Sequence, residues 1–246
     1  MDMIRFELTE GQTESLRASL HLYIAVADGR LDAITGLVRS GTLHATTAHG
    51  GPVKLEAFEH CMINAAAAIG YRNEQSTPAA PEPAIVTAAR EALDLLPPPD
   101  GGAVPFEVSL LQACAIRQAT DLFIRIGLGQ LTEIVYLLRD GIVRPTEEIL
   151  SGLGDRVPDA LLNRELQLAK AALGHPSNGS YGVGNRNVPL VAHRAYEIHK
   201  AIARTLAVHA DPNPAFKGVD YDGVMVRYTS DPAPVTVVTT APAAAP

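Results

Sequence analysis

The side chains in this chain that could do chemistry gather in two places, a glycine-rich loop and the helix-patterned stretch that follows it. The loop HPSNGSYGVGNRNVP (175–189) spaces Gly179 and Gly184 as a phosphate loop does, and Arg186 beside a helix start could hold an anion. No strand pattern precedes it, however, and Asn185-Arg186 stands where Lys-Ser/Thr is needed. A helix–helix connection is the plainer reading. A second loop echoes the first: YRN at 71–73 and YGVGNRN at 181–187 each carry a Tyr followed by Arg-Asn. Tyr71, Arg72, Tyr181 and Arg186 could therefore grip a small anion between the two loops.

In the stretch VPLVAHRAYEIHKAIARTLAVH, the residues His193, Glu197, Lys200 and Arg204 recur on one helix face, and Val191, Ala195, Ile198, Ile202 and Leu206 line the other. Such a stripe is either a solvated face or a strip that receives an acidic partner. Residues 1–103 carry 7 basic and 13 acidic side chains, so they are one source of that partner. Metal ligation finds no set: Glu56 and His60 are a lone i,i+4 pair, and His193 and His199 fall on different faces. Cys61 adjoins His60 but points about 100° away on a helix. There is no GxSxG or HExxH. No catalytic residue, metal or cofactor is implied.

The elements that must position these groups are written twice. LYIAVADGRLDAITGLVRSG (22–41) and LFIRIGLGQLTEIVYLLRDG (122–141) agree at eight of twenty positions without a gap, among them Gly29/Gly129, Arg39/Arg139 and Gly41/Gly141. Upstream, Thr9 with Gln12 and Ser109 with Gln112 are matching capping boxes. Downstream, AAAAIG (65–70) meets AKAALG (169–174), and PAIVTAAREAL (83–93) meets PLVAHRAYEIH (189–199). The offset grows from 100 to 104 to 106, as it does when loops between retained elements lengthen. The pattern predicts an all-α fold, a tandem duplication of a roughly four-helix unit, with strand signals nearly absent before residue 220. The third helices are expected at about 55–69 and 157–173, and the fourth open at Pro83 and Pro189 as first helical residues.

The helix pair at Leu22, Ala25, Gly29, Ile34, Leu37 and Gly41 resembles one ankyrin repeat in spacing. Tyr23 and Phe123 stand where that repeat has His, and ankyrin units recur every ~33 residues whereas this copy recurs after 100. The resemblance is one of helix-hairpin grammar, not of an array.

Domain limits follow from composition. Residues 1–97 form the first unit, 98–105 a Pro/Gly linker, 106–210 the second unit and 211–246 a C-terminal arm. In the arm, GVMVRYT (223–229) and VTVVTT (235–240) are β-branched and flank SDPAP, which predicts an extended segment or a short hairpin. Phe216, Tyr221 and Tyr228 would anchor it, and the Val/Thr runs would add strands to a neighbour.

The net charge of -7 argues against nucleic acid as a partner. No apolar run is long enough to span a bilayer, and the first residues lack a signal core. Two cysteines are too few for a disulfide framework, consistent with a cytoplasmic protein, or a virion protein if it is a phage product. What the two copies share is packing rather than reactive groups. The expectation is a non-catalytic helical structural or interaction protein, a subunit or scaffold of a larger assembly such as a phage particle or bacterial complex. It would self-associate or bind protein partners through its arm. The alternative is an anion-binding protein or enzyme with a pocket between the repeats.

Overall fold

Apolar side chains at three- and four-residue intervals become helices where that spacing places them. In a computed structural model describing residues 2–44, 46–47, 50–71, 76, 78, 80–98, 104–153, 159–176 and 178–240, the order is as follows. The first half holds β1 (Asp2–Glu7), α1 (Glu10–Ala27), α2 (Asp32–Arg39), α3 (Leu55–Ala68) and α4 (Ala84–Asp94). The second holds β2 (Phe106–Ser109), α5 (Leu110–Gly127), α6 (Glu133–Arg139), α7 (Glu147–Leu153), α8 (Asp159–Ala172) and α9 (Leu190–Ala210). A 3-10 turn (Val219–Tyr221) and β3 (Val235–Thr240) belong to the arm. Among the described residues the second half thus shows five helices where four were expected; α7 is the addition. Most of the linker, 99–103, lies outside the described residues.

Helix ends obey the local chemistry. Both capping boxes form: Thr9 and Ser109 accept from the N–H of Gln12 and Gln112, and each Gln side chain returns to the cap N–H. These bonds satisfy donors that the first turn leaves orphaned, so α1 and α5 start at corresponding residues. Pro83 and Pro189 are N-caps in extended backbone, one residue earlier than expected. Gly29 and Gly129 turn the chain between helices at φ +75° and +81°, and each is roofed by a ring, Tyr71 over Gly29 and His175 over Gly129.

The fold is mostly helical, as expected, with one small sheet beside the helices. β1, β2 and β3 form an antiparallel sheet in the order β2-β1-β3. Ile4 and Phe6 alternate inward with Val108 and Phe106, and the two Phe rings stack with centroids 5.0 Å apart. That period-two pattern was overlooked because it spans only two or three inward positions per strand, too few to stand out beside long helices. The hairpin is also corrected. Residues 223–229 form no strand, and 235–240 pair with β1, Val237 opposite Arg5 and Val238 opposite Ile4. Pairing with a β1 that already has β2 on its other edge completes a ladder on both sides of one strand, which a free hairpin cannot offer.

The two runs of helices share one core. α1 packs on α4, α5 and α9, α4 also packs on α5, and α3 lies along α8. Tyr23, wholly buried, donates its hydroxyl to Gln118 Oε1 at 2.6 Å across the α1–α5 seam, and burial holds the phenol far above its ordinary pKa. Surface contacts recur with the elements: Arg39 pairs with Glu59 and Arg139 with Asp159, each twenty residues on. No helix among the described residues is long and apolar enough to cross a membrane.

Candidate interaction surface

The chain's own arm lies over much of the polar stripe of α9, burying Glu197 and leaving Arg204 exposed. After Ala210 the backbone reverses and runs down α9. Tyr221 donates to Asp211 O (3.0 Å), Lys200 Nζ to Val219 O (2.8 Å), and Arg117 to Asp220 (2.8 Å). Gly223, at φ +68°, lets the strap pass close over Arg204, whose Cδ lies 2.8 Å from where a Cβ would sit. Tyr228 stacks on His193 (5.2 Å) and meets Tyr196 edge-on (5.6 Å), while His193 Nε2 bonds Val183 O at 2.7 Å. At Pro232 the arm turns and returns as β3, where Thr205 and Thr236 exchange hydroxyl contacts at 2.6 Å.

Glu197 is the centre of this seat. It is 0% exposed, yet its carboxylate has a full set of donors. Oε1 accepts the N–H groups of Tyr228 (2.9 Å) and Thr229 (3.0 Å), and Oε2 accepts from Thr229 Oγ1 (3.0 Å) and Arg227 Nε (3.2 Å). A buried carboxylate is tolerable only with such compensation. Arg194 clamps Asp231 through Nε (2.6 Å) and Nη2 (3.4 Å), and Gln12 Nε2 donates to Pro232 O at 2.7 Å. Charged hydrogen bonds of this density make the arm part of the fold.

The anchor assignments change accordingly. Tyr221 and Tyr228, with His193 and Lys200, are engaged within the chain, whereas Arg204 is exposed and Phe216 is 85% exposed. The residues that sequence reasoning missed are Arg194 and Asp231; Glu197 was counted as one charge in the stripe. Asp231 before Pro232 marked a turn, but nothing local pairs it with an arginine 37 positions away.

Three of the four residues expected to grip an anion between the loops are described. Tyr71 donates its hydroxyl to Arg144 O (2.8 Å) and packs on Gly29, and Arg186 is exposed. Arg72 lies outside the described residues. Tyr181 is buried against His44 and His175, with ring centroids 6.4 and 4.5 Å away. Two surface grooves of about 560 Å³ are lined by described residues other than Tyr71, Tyr181 and Arg186. Among the described residues no three His, Cys, Asp or Glu gather to hold a metal. Cys61 is free, and burial first, then Glu165, pushes its thiol up, away from reactivity.

The buried histidines give a pH dependence. His44, held at φ +52°, donates from Nε2 to Ile126 O at 2.6 Å, leaving Nδ1 buried without a partner. His199 bonds Arg117 O at 3.2 Å. Burial lowers both pKa values below the ordinary 6.5. Both are thus neutral when folded, and the unfolded chain binds more protons. Stability is full above pH 6.5, falls as pH drops through that value, and this contribution is gone below the folded pKa values. Urea midpoints from pH 8 to pH 5 should fall accordingly, and His44→Gln should flatten the slope.

Set against protein-family models, curated proteins and solved structures, the chain matches none.

Proposed function

We propose that the protein is a non-catalytic structural or interaction protein, a cytoplasmic or virion subunit of a larger assembly, whose C-terminal arm carries the contact surface. One observation supports this above the rest. Of sixteen large apolar side chains exposed among the described residues, seven lie in the thirty residues 211–240. Phe216, Val219, Met225 and Val226 face outward from a strap that a buried carboxylate and a bidentate arginine hold still. A rigid, outwardly apolar patch suits association, since little ordering entropy remains to be lost on binding. The two halves read as copies of one helical unit, supported by their matching caps, turns and ion pairs. Protein, including further copies of the chain, is the partner class; the net charge of -7 disfavours nucleic acid.

Light scattering tests the reading on the full chain and on a Phe216→Ser/Met225→Ser variant. These side chains are solvated, so the fold should be unaffected while the mass of the assembly drops. Single-chain mass for both proteins would remove self-assembly. The alternative, an anion-binding protein or enzyme, predicts a higher melting temperature in millimolar phosphate that Arg186→Ala abolishes. No such shift is expected.

A further inference from the structure

The free edge of β3 lacks the devices that normally keep an edge strand from pairing. Residues Val235–Thr240, VTVVTT, contain no Lys, no Pro and no charge at all. One side of the strand is bonded to β1 in continuous register from Asp2 to Glu7, with no bulge, so its other side presents a regular row of N–H and C=O groups. Beneath that edge lies one of the ~560 Å³ grooves, lined by Val208 and Thr205 of α9, by Gly223 and Val224 of the arm, and by β3 itself. Val238 points to this inner side yet is 37% exposed, because no strand among the described residues lies beside it.

We propose that this edge pairs with the same edge of a second copy, antiparallel and centred on Val237, to give a twofold dimer with one six-stranded sheet. This rests on the association reading above and adds a second contact, distinct from the outward face that carries Phe216 and Met225. Three features select a second copy over a foreign strand. A visiting strand must present β-branched side chains at alternate positions toward the groove, and VTVVTT presents Thr236 and Val238 there. Centring on Val237 sets Val235 against Thr239 and Thr236 against Val238 of the partner, uncharged against uncharged, so no like charges oppose. On the outer face the nearest charge, Arg5, is paired with Glu7 at 3.2 Å. Its copy lies three strand spacings off, about 14 Å, beyond the screening length of ~8 Å. The pairing is isologous and closes, because the sheet's remaining edge, β2, is only four residues long.

Sedimentation and cross-linking of the full chain test it. The wild type should sediment at no less than twice its 26.1 kDa mass. Val237→Lys, on the outer face, should remove that pairing while the chain keeps its fold, read as an unchanged circular-dichroism spectrum. With Cys61 and Cys114 replaced by Ser, Val237→Cys should oxidise to a covalent dimer. Val235→Cys, displaced along the seam, should not. A wild type monomeric at 100-fold varied concentration overturns the seam and self-association together. An assembly mass that Val237→Lys leaves unchanged, or a dimer that links equally well at 235, overturns the seam alone and leaves the association reading standing.

Discussion

Glu197→Ala should lower stability by about 3–5 kcal/mol, the cost of breaking a buried charged network by removing one member. The lost carboxylate leaves the N–H groups of Tyr228 and Thr229 without acceptors on their buried side, where Glu197 is 0% exposed. Arg227 contributes less, since its side chain is 36% exposed and can turn to solvent. Glu197→Gln retains one carbonyl oxygen for the two N–H groups and loses only the ion pair and one acceptor, so about 1–3 kcal/mol is expected. Urea denaturation measures both. Hydrogen exchange locates the effect: in the alanine variant the amides of 228 and 229 should lose roughly tenfold or more of their protection, while those of α1 and α5 follow global stability. Uniform loss across the chain would mean the arm is not an independently seated element.

Gly129→Ala should cost about 2–4 kcal/mol, and Gly141→Ala only about 1 kcal/mol, although both glycines have positive φ. The backbone strain is common to the two. What differs is the space: a Cβ on Gly129 would lie 2.5 Å from His175 Nε2, whereas a Cβ on Gly141 meets nothing within 4 Å. His175 cannot simply withdraw, because its ring is wedged between Tyr181 at 4.5 Å and His44 at 5.7 Å. Thermal or urea unfolding of the two variants measures the difference. Equal losses would show that the roofing ring moves aside freely. A larger loss at 129 would show that the turn, the two imidazoles and Tyr181 form one packed unit.

The repeated glycines, caps and apolar spacings carried the helices. Gln12 and Gln112 are each three residues past a hydroxyl, and both boxes formed because every partner lies within one turn. Gly29, Gly41, Gly129 and Gly141 all took positive φ for an equally local reason. The sheet was the failure. Phe6 and Phe106 stood at matching places in the two halves, but their stacking depends on strands a hundred residues apart meeting. The β character of 235–240 was visible from its Val and Thr, while its partner was not: β1 lies more than two hundred positions upstream.

The α9 stripe shows the same division at the candidate site. Spacing put His193, Glu197, Lys200 and Arg204 on one face, and they are on one face. What that face touches was beyond reach, since a charge written beside apolar neighbours looks identical whether water or a folded-back strap covers it. Helix positions, turns and caps depend on contacts within a few residues, where the chain's covalent geometry restricts the choices to a handful. Strand partners, the burial of Glu197 and the outward face of the arm arise from encounters between distant segments. Those are settled by the competition among all surfaces for burial and hydrogen-bond partners in the finished fold.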